Sequence, residues 1–306
     1  MKISIIGAGN VGSLSAMRLA HEGLGEIVLV DILKGIARGK AFDLEDASSI
    51  LKLDYDIAGS DDIAEIKDSD IAVITAGLAR KPGMTREDLL SKNSQILKET
   101  AKAVKKLSPG AVLVVVTNPL DLMTRLALEV TGFSKERVMG MGLTLDTSRF
   151  ANLIAKELGV PVSDVEAMVI GSHGEGMLPL YRFTNIKGVA LEEFLDKERI
   201  GALVEKTVMR GAEVVSLLGS GSAYFAPSAA IAQLVRVIAK DEKRTLGVSV
   251  YADGEYGIRD VCIGLTCRLG RAGIEKIVEL DLNEQEKEAL ENCASRLREQ
   301  YRSLKA

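Results

Sequence analysis

The stretch "IIGAGNVG", residues 5–12, decides the fold that this sequence predicts. Gly7, Gly9 and Gly12 have the G-x-G-x-x-G spacing, and they join a short apolar run to a segment with helical spacing. In a dinucleotide-binding unit the first glycine permits a tight turn, the second lets a pyrophosphate approach, and the third lets the helix pack on the strand. The spacing alone also fits a chance glycine-rich turn, so the neighbouring sequence has to decide.

The neighbouring sequence favours a cofactor site. Asp31 ends the next apolar run nineteen positions after Gly12, close to the separation of about 20 at which such units place the acid that binds the adenosine ribose. The loop residues Ala8, Asn10 and Val11 would turn unpaired helical N–H groups toward the phosphates. A 2′-phosphate would meet the like charge of Asp31, and the next residue is not basic, so the sequence predicts NAD rather than NADP. The other interpretation is that Asp31 is an ordinary loop acid.

Short apolar runs alternate with helical patterns through the first half of the chain. The runs "KISIIG", "EIVLVD", "IAVITAG" and "AVLVVVTNP" are apolar on both faces, which is typical of buried parallel strands. Segments with helical spacing lie between them, at residues 10–22, 35–51 and 86–107. Strand, helix and strand in repetition predict an α/β fold, a Rossmann doubly wound parallel sheet with right-handed crossovers.

The pattern changes past residue 145. Long helical segments at residues 146–158 and 197–218 are separated by strand-like pieces, at residues 166–170 and 251–270. We therefore predict two domains, an NAD-binding Rossmann domain at 1–144 and a C-terminal α+β domain at 145–306 that is closed by a helix from about Asn283. No linker-like tract separates them, so we expect a shared interface.

Composition argues against several classes of protein. The 306 residues are 47% hydrophobic and 27% charged, which suffices for a sizeable core. The net charge of -4 gives no positive field for nucleic acid or an anionic membrane. No apolar run is long enough to cross a bilayer, and the three cysteines have neither disulfide-framework nor metal-ligand spacing. We expect no nucleic-acid, membrane or metal partner, and a location in the reducing cytoplasm.

Polar residues follow two of the predicted strands at their carboxyl ends. The segment "GLARKPGMTREDLL", residues 77–90, carries Arg80 and Arg86, and "TNPLDLM" carries Asn118. Ligands of open α/β sheets bind at this edge. Taken alone, basic loop residues are usually only solvated, and an Asn-Pro pair usually marks a turn.

A further polar set lies in the C-terminal half, in "LTLDTSRF" and "VIGSHGEGMLPL". Asp146 and Arg149 are three positions apart, a spacing that places them on one face if the segment is helical. A carboxylate beside His173 would fix its tautomer and stabilise the imidazolium, while Arg149 could grip a carboxylate with two parallel hydrogen bonds. A lone histidine is more often structural, and His21 on the first helix is interpreted as a solvated surface residue.

Six motifs occur in one order: "GAGNVG", "VD" ending at residue 31, "TAGLARKPGMTREDLL", "VVTNPLD", "GLTLDTSRF" and "GSHGEGMLPL". In this order and spacing they resemble the lactate/malate dehydrogenase family, in particular the lactate-dehydrogenase-like malate dehydrogenases of bacteria and archaea. The resemblance runs from Met1 to the C-terminal helix, and it implies that the C-terminal α+β domain at 145–306 is the catalytic or substrate domain. It implies an NAD-dependent oxidoreductase of the tricarboxylic acid cycle that interconverts (S)-malate and oxaloacetate as a homodimer or homotetramer.

The resemblance also implies a role for each candidate site residue. His173 would be the catalytic acid–base, Asp146 its partner, and Arg149 the clamp on the substrate carboxylate. Arg86 would polarise the carbonyl, and Asn118 would bind substrate beside the nicotinamide. Further contacts with NAD would come from Asn93, Val116, Thr117 and Asn118.

Arg80 separates the two activities of this family. Malate and oxaloacetate carry a second carboxylate, and a basic group opposite it would favour the diacid while pyruvate would leave that group unpaired. Lactate dehydrogenases typically have glutamine at the matching position. Two other interpretations stay open: a lactate or broader 2-hydroxyacid dehydrogenase, and a noncatalytic NAD-binding protein. Around the histidine, many relatives read "GEHGDS", where this chain has Ser172, Glu175 and Gly176.

Overall fold

The computed structural model of the chain describes residues 1–78, 86–219 and 221–305, without the side chains of Arg86 and Lys305. In the first half of this described part, six strands pair in parallel: β1 Lys2–Ile6, β2 Glu26–Val30, β3 Ile57–Ser60, β4 Ile71–Ile74, β5 Val112–Val115 and β6 Val138–Gly140. They lie in the order β3-β2-β1-β4-β5-β6, with the switch in strand order between β1 and β4. The helices of this half are α1 Asn10–His21, α2 Ile36–Leu51, α3 Arg86–Leu107 and α4 Leu120–Thr131.

These elements confirm the predicted doubly wound α/β fold. The four runs predicted as buried strands form β1, β2, β4 and β5, and nearly every residue in them is buried because helices cover both faces of the sheet. The three segments with helical spacing form α1, α2 and α3, each within one residue of its predicted bounds. Hydrophobic periodicity was therefore sufficient for these seven elements.

The second half combines helices with antiparallel strands. Its helices are α5 Leu143–Leu158, α6 Lys197–Leu218, α7 Phe225–Ala239 and α8 Glu284–Lys305. Its strands are β7 Val165–Glu166, β8 Val169–Gly171, β9 Met177–Pro179, β10 Asn185–Ile186, β11 Val189–Ala190, β12 Thr245–Asp253, β13 Arg259–Gly270 and β14 Gly273–Ile277. Short 3-10 helices occur at Ile63–Ile66, Lys135–Arg137, Val162–Asp164, Tyr181–Phe183, Leu191–Glu193 and Glu255–Gly257.

The single strand predicted at residues 166–170 is wrong. The chain changes sheets within it, because β7 pairs with β10 in a small three-stranded sheet whereas β8 pairs with β9 and β13 in the main sheet. Apolar character continues through the change, so periodicity could not detect the break. The change is functionally relevant because β8 leads directly into the loop that carries His173.

One sheet joins the two halves of the molecule. Ser249 of β12 pairs antiparallel with Gly140 of β6, which makes the parallel strands continuous with β12, β13, β8 and β9. The main apolar core likewise contains residues of both halves. The predicted division at 144 and 145 falls in the first turn of α5 and stays a prediction.

A second apolar cluster supports α5. Phe150 and Ile154 on this helix are fully buried and belong to one cluster with Ile200 and Leu203 of α6. Burial of this face fixes the rotation of α5 about its axis, since an amphipathic helix packs with its apolar stripe inward. The polar residues in the first two turns of α5 are thereby held in a defined place.

Candidate active site

The glycine-rich loop between β1 and α1 is open where a pyrophosphate would approach. Gly9 is exposed, and a Cβ added to it would meet no atom within 4 Å. A Cβ on Gly12 would instead collide with the carbonyl oxygen of Gly7, so a side chain at position 12 would push the helix off the loop. Among the described residues no side chain caps α1, so N–H groups of its first turn, from Asn10, remain for an anion. The loop therefore fits the diphosphate of a dinucleotide.

Asp31 follows β2 and is anchored beside this loop. Its Oδ2 accepts the N–H of Ala8 at 2.7 Å, and its Oδ1 accepts the N–H of Leu33 at 2.9 Å. Each carboxylate oxygen has a further lone pair, so Asp31 can still accept hydrogen bonds from ribose hydroxyls. The position and the remaining acceptor capacity of Asp31 fit the predicted ribose contact.

Lys40 of α2 also reaches the loop, a contact that the sequence pattern did not indicate. Its Nζ donates to the carbonyl of Ala8 at 2.6 Å and to the hydroxyl of Ser13 at 2.9 Å. The ammonium adds a positive charge next to a loop suited to an anionic cofactor. A single lysine within a charged helix carries no distinctive spacing, so only the structure identifies it.

Asn93 joins the two loops that follow β4 and β5. Its side chain is buried, its Oδ1 accepts the N–H of Leu78 at 2.8 Å, and its Nδ2 donates to the carbonyl of Asn118 at 2.9 Å. Thr117 is buried as well, and its hydroxyl donates to the carbonyl of Ala76 at 2.6 Å. Asn118 itself is exposed at this edge. The amide of Asn93 thus holds loop backbone, and its direct contact with NAD stays a prediction.

The remaining predicted residues of this edge are less informative. Val116 is half-buried and packs against the main core. Arg86 is the first residue of α3, but its side chain lies outside the described part of the chain. Arg80 also lies outside it. The roles of these three residues stay predictions.

His173, Asp146 and Arg149 form one hydrogen-bonded group. His173 Nδ1 and Asp146 Oδ2 are 2.7 Å apart, and Arg149 Nη1 donates to Asp146 Oδ1 at 3.1 Å. The Asp146 side chain is fully buried, whereas those of His173 and Arg149 keep 17% and 12% of their surface exposed. Within the described ranges, His173 Nε2 and the other N–H groups of Arg149 make no hydrogen bond. These donors and acceptors remain for a ligand.

Asp121 is a candidate residue that the sequence did not reveal. It lies in the first turn of α4 and is 3% exposed. Its Oδ2 accepts the backbone N–H of His173 at 3.0 Å, and its Oδ1 accepts the hydroxyl of Ser249 at 2.6 Å. Burial raises the pKa of Asp121 to about 6. An acid in the first turn of a helix usually only complements the helix dipole, so the motif "NPLD" gave no sign of burial.

Opposed effects set the pKa of His173. Burial lowers the pKa, while the charge and hydrogen bond of Asp146 and the charge of Asp121 raise it, so that it lies above its ordinary value of 6.5. The positive charge of Arg149 lowers it. The two carboxylates therefore stabilise the imidazolium. An imidazole bound at Nδ1 and free at Nε2 is suited to accept and return a proton.

The residues that depart from the family pattern close the loop around His173. The N–H of Ser172 donates to the carbonyl of Gly176 at 3.2 Å, and a Cβ on Gly176 would collide with the Ser172 hydroxyl. The Sγ of Cys293 on α8 lies 3.2 Å from the same Cβ position. Glycine at 176 therefore leaves the space that Ser172 and Cys293 occupy. Glu175 in this loop is exposed.

Other sequence expectations concern residues away from this group. His21 is exposed, and its Nδ1 lies 3.1 Å from the hydroxyl of Tyr55, in agreement with a surface role. All three cysteines are buried free thiols. The described residues contain no cluster of three or more His, Cys, Asp or Glu placed to hold a metal ion. In the same part of the chain no helix is long and apolar enough to span a membrane.

Two family models match the chain. Residues 1–140 match the model described as "lactate/malate dehydrogenase, NAD binding domain". Residues 143–306 match the model described as "lactate/malate dehydrogenase, alpha/beta C-terminal domain". The first model covers the strands and helices around the glycine-rich loop, and the second covers Asp146, Arg149 and His173.

Individual proteins are similar over the full chain. The malate dehydrogenase of Roseiflexus sp. (strain RS-1) is 47% identical over 305 residues, which cover 100% of this chain and 99% of that protein. The structure of malate dehydrogenase from Salinibacter ruber has a TM-score of 0.95 at 42% identity and covers 100% of this chain and 98% of its own. The structure of lactate dehydrogenase from Eimeria maxima with NADH and oxamate has a TM-score of 0.96 at 37% identity, with 100% and 94% covered. This chain therefore belongs to the lactate/malate dehydrogenase family.

Proposed function

We propose that this chain catalyses the reversible oxidation of (S)-malate to oxaloacetate with NAD as its cofactor. The observation that carries the proposal is the hydrogen-bonded group of His173, Asp146 and Arg149. It combines a proton acceptor, the carboxylate that orients it, and a cation suited to a substrate carboxylate. The relatives named as malate dehydrogenases support the choice of substrate.

The acid–base group is tied to the cofactor edge of the sheet. The backbone of His173 is bonded to Asp121, which lies three residues after Asn118. The carbonyl of Asn118 is held by Asn93, which also binds Leu78 in the loop after β4. A short chain of hydrogen bonds thus connects the loops of β4 and β5 with the histidine. A substrate at His173 would lie at the sheet edge where cofactors bind in this class of fold.

His173 moves the proton in this mechanism. During malate oxidation its neutral Nε2 accepts the proton of the C2 hydroxyl, while Asp146 at Nδ1 fixes the tautomer and stabilises the resulting imidazolium. When bound, the nicotinamide supplies the acceptor for the hydride that leaves C2. In the reverse direction His173 returns the proton to the oxygen at C2. Asp146 holds the ring from one side and accepts a hydrogen bond from Arg149 on its other oxygen.

Three arginines and one asparagine bind and polarise the substrate in this proposal. Arg149 holds the carboxylate next to C2 through the N–H groups that Asp146 leaves unused. Asn118 binds the substrate beside the nicotinamide. Arg86 offsets the negative charge that develops on the C2 oxygen. Arg80 pairs with the second carboxylate, and this pairing favours oxaloacetate over pyruvate.

The raised pKa of His173 predicts opposite pH dependences for the two directions. Reduction of oxaloacetate needs the imidazolium, so its kcat/KM should stay constant at low pH and fall as pH rises through the His173 pKa. Oxidation of malate needs the neutral ring, so its kcat/KM should rise over the same interval. Because Asp146 raises this pKa, we expect both midpoints above 6.5. Steady-state rates from pH 5 to 10 would measure them, and a shared midpoint below 6.5 would contradict the assignment.

The substrate proposal is tested by comparing oxaloacetate and pyruvate as substrates of NADH oxidation. The native chain should prefer oxaloacetate, and Arg80→Gln should shift the ratio of the two kcat/KM values toward pyruvate by about 30-fold or more. The magnitude follows from removing one partner of a desolvated charge pair, which typically costs about 2–5 kcal/mol. Lys81→Gln, which removes the neighbouring positive charge, is the matched control and should leave the ratio near that of the native chain.

Each outcome of this comparison has a distinct meaning. Preference for pyruvate in the native chain would favour the lactate or broader 2-hydroxyacid dehydrogenase, an activity found in the structurally similar lactate dehydrogenase of Eimeria maxima. An unchanged ratio in Arg80→Gln would remove Arg80 from substrate selection. Binding of NADH without turnover of either ketoacid would favour the noncatalytic NAD-binding protein.

We also propose that the protein works as a homodimer or homotetramer in the cytoplasm, in the tricarboxylic acid cycle. The outer faces of α2 and α6 support the association: Ile50 and Leu217 are each 80% exposed, and Phe42 and Met209 are each 57% exposed. Exposed apolar faces of this kind are typical of protein interfaces. The free thiols of all three cysteines support a reducing compartment.

A further inference from the structure

A buried, hydrogen-bonded pair of an acid and a hydroxyl links α4 and β12 to the histidine loop. Asp121 and Ser249 are 3% and 0% exposed, and they are joined by a hydrogen bond of 2.6 Å from the serine hydroxyl to the carboxylate. The other carboxylate oxygen accepts the backbone N–H of His173. The side chain of Asp121 therefore has one partner on each oxygen, and both partners donate.

An ionised carboxylate is energetically unfavourable at this buried position. Burial of an ionised group is unfavourable unless partners compensate for the lost hydration, and here burial raises the pKa of Asp121 to about 6. An asparagine could fix the same backbone, because its Oδ1 would accept the N–H of His173 and its Nδ2 could donate to the oxygen of Ser249. The hydrogen bonds alone therefore do not explain why this residue is an acid, and we look for a role of its negative charge.

Several charged and titratable groups lie close enough to Asp121 for its negative charge to affect them. His173 faces Asp121 from the loop after β8, with Asp146 and Arg149 of α5 beyond it. The charge of Asp121 also raises the pKa of the thiols of Cys262 on β13 and Cys293 on α8. Both thiol pKa values are raised by burial, so neither thiol offers a countercharge near neutral pH. Among these neighbours the imidazole is the group whose protonation Asp121 can favour.

We propose that Asp121 is a positioning residue for His173, which holds the backbone of the histidine and whose negative charge, added to that of Asp146, favours the imidazolium. The proposal rests on the assigned role of His173 in proton transfer. Two carboxylates act on one ring: Asp146 binds Nδ1 directly, and Asp121 acts from the backbone side. Ser249 supports the charge of Asp121 through its hydroxyl, since a donor stabilises the ionised carboxylate.

The variant Asp121→Asn tests the charge separately from the hydrogen bonds. We expect it to lower the pKa of His173 by about half a unit to one unit, the order of effect that a nearby charge has on an ionisable group. The rate of oxaloacetate reduction above this pKa should then fall about three- to tenfold relative to the rate of the same variant at low pH. Ser249→Ala, which removes one donor to Asp121, should move the pKa in the same direction by less. Ser4→Ala removes an equally buried hydroxyl in β1, bonded to Ser69, and should change neither value.

Histidine titration by NMR measures the same effect without turnover. The chain has two histidines, so isotope labelling gives two ring signals, and His21 at the exposed end of α1 provides the reference. A lower His173 midpoint in Asp121→Asn would support the proposal even if the chain turned over no ketoacid, in which case only the proposed function would fail. Unchanged midpoints in NMR and kinetics, with or without a loss of activity at every pH, would overturn it. If Asp121→Asn did not fold, an unchanged titration midpoint of His173 in Ser249→Ala would overturn the proposal.

Discussion

His173→Asn should lower kcat by about 10²- to 10⁴-fold in both directions, the contribution that general acid–base catalysis typically makes. An asparagine amide can still donate to Asp146 from near the position of Nδ1, which is 2.7 Å from that carboxylate in the native chain. The variant therefore keeps the buried Asp146 paired with two donors, and it loses only the group that exchanges the proton. We expect the binding of NADH to be unchanged.

Steady-state kinetics at several pH values would measure this loss. The variant should also lose the pH dependence assigned to His173, because the titrating group is absent. His21→Asn removes the exposed histidine and is the matched control, expected to be indistinguishable from the native chain in kcat. Turnover of His173→Asn within a few fold of the native value, at unchanged thermal stability, would show that the proton acceptor is another residue.

Arg149→Gln is expected to reduce kcat/KM for malate by about 10²- to 10³-fold. A buried cation that pairs with a substrate carboxylate is worth roughly 3–4 kcal/mol when one partner is removed. The Michaelis constant for NAD should change little, since Arg149 is bonded to Asp146, whereas the partners of the dinucleotide loop are Asp31 and Lys40. Arg149→Lys should fall in between, because an ammonium keeps the charge but cannot form the two parallel bonds.

Two further measurements separate substrate binding from disturbance of Asp146. Arg149 lowers the pKa of His173 in the native chain, so its removal should move the midpoint of the pH profile upward, opposite to the shift expected for Asp121→Asn. Arg199→Gln is the matched control, because Arg199 forms an exposed ion pair with Glu157 at 2.6 Å. An equal loss of kcat/KM in Arg199→Gln would mean that the effect of Arg149 is a general one on the fold.

Sequence periodicity identified the strands with continuous apolar runs and several long helices, and it missed other elements. Strands β1, β2, β4 and β5 carry apolar residues on both faces, and the long helices carry a repeating apolar stripe. Strand β3 ends in glycine and serine, and strand β6 has only three residues, of which the last is glycine, so neither forms a continuous apolar run. The change of sheet between β7 and β8 left no mark in the sequence because both strands present apolar residues to a core.

The candidate site was predictable where residues recur in motifs and unpredictable where only burial distinguishes them. Gly9, Gly12 and Asp31 have a spacing set by the geometry of the loop itself. His173 and Asp146 are 27 residues apart and meet only in the folded chain, so their pairing came from the resemblance to a family. Asp121 and Lys40 look like ordinary helix charges in sequence, since their contacts arise from packing between elements.

The pairing of β6 with β12 limits how the two halves of related proteins could be combined in a chimera. His173 belongs to the second half of the chain, but Asp121, one of the two carboxylates next to it, belongs to the first half. Ser249 donates a hydrogen bond to Asp121 and lies on β12, the strand that pairs with β6. A chimera that exchanges the cofactor-binding half to alter cofactor preference would also exchange part of the histidine's electrostatic environment. The electrostatic environment of His173 therefore depends on residues from both halves. A functional chimera has to combine halves in which Asp121, Gly140 and Ser249 still make their contacts.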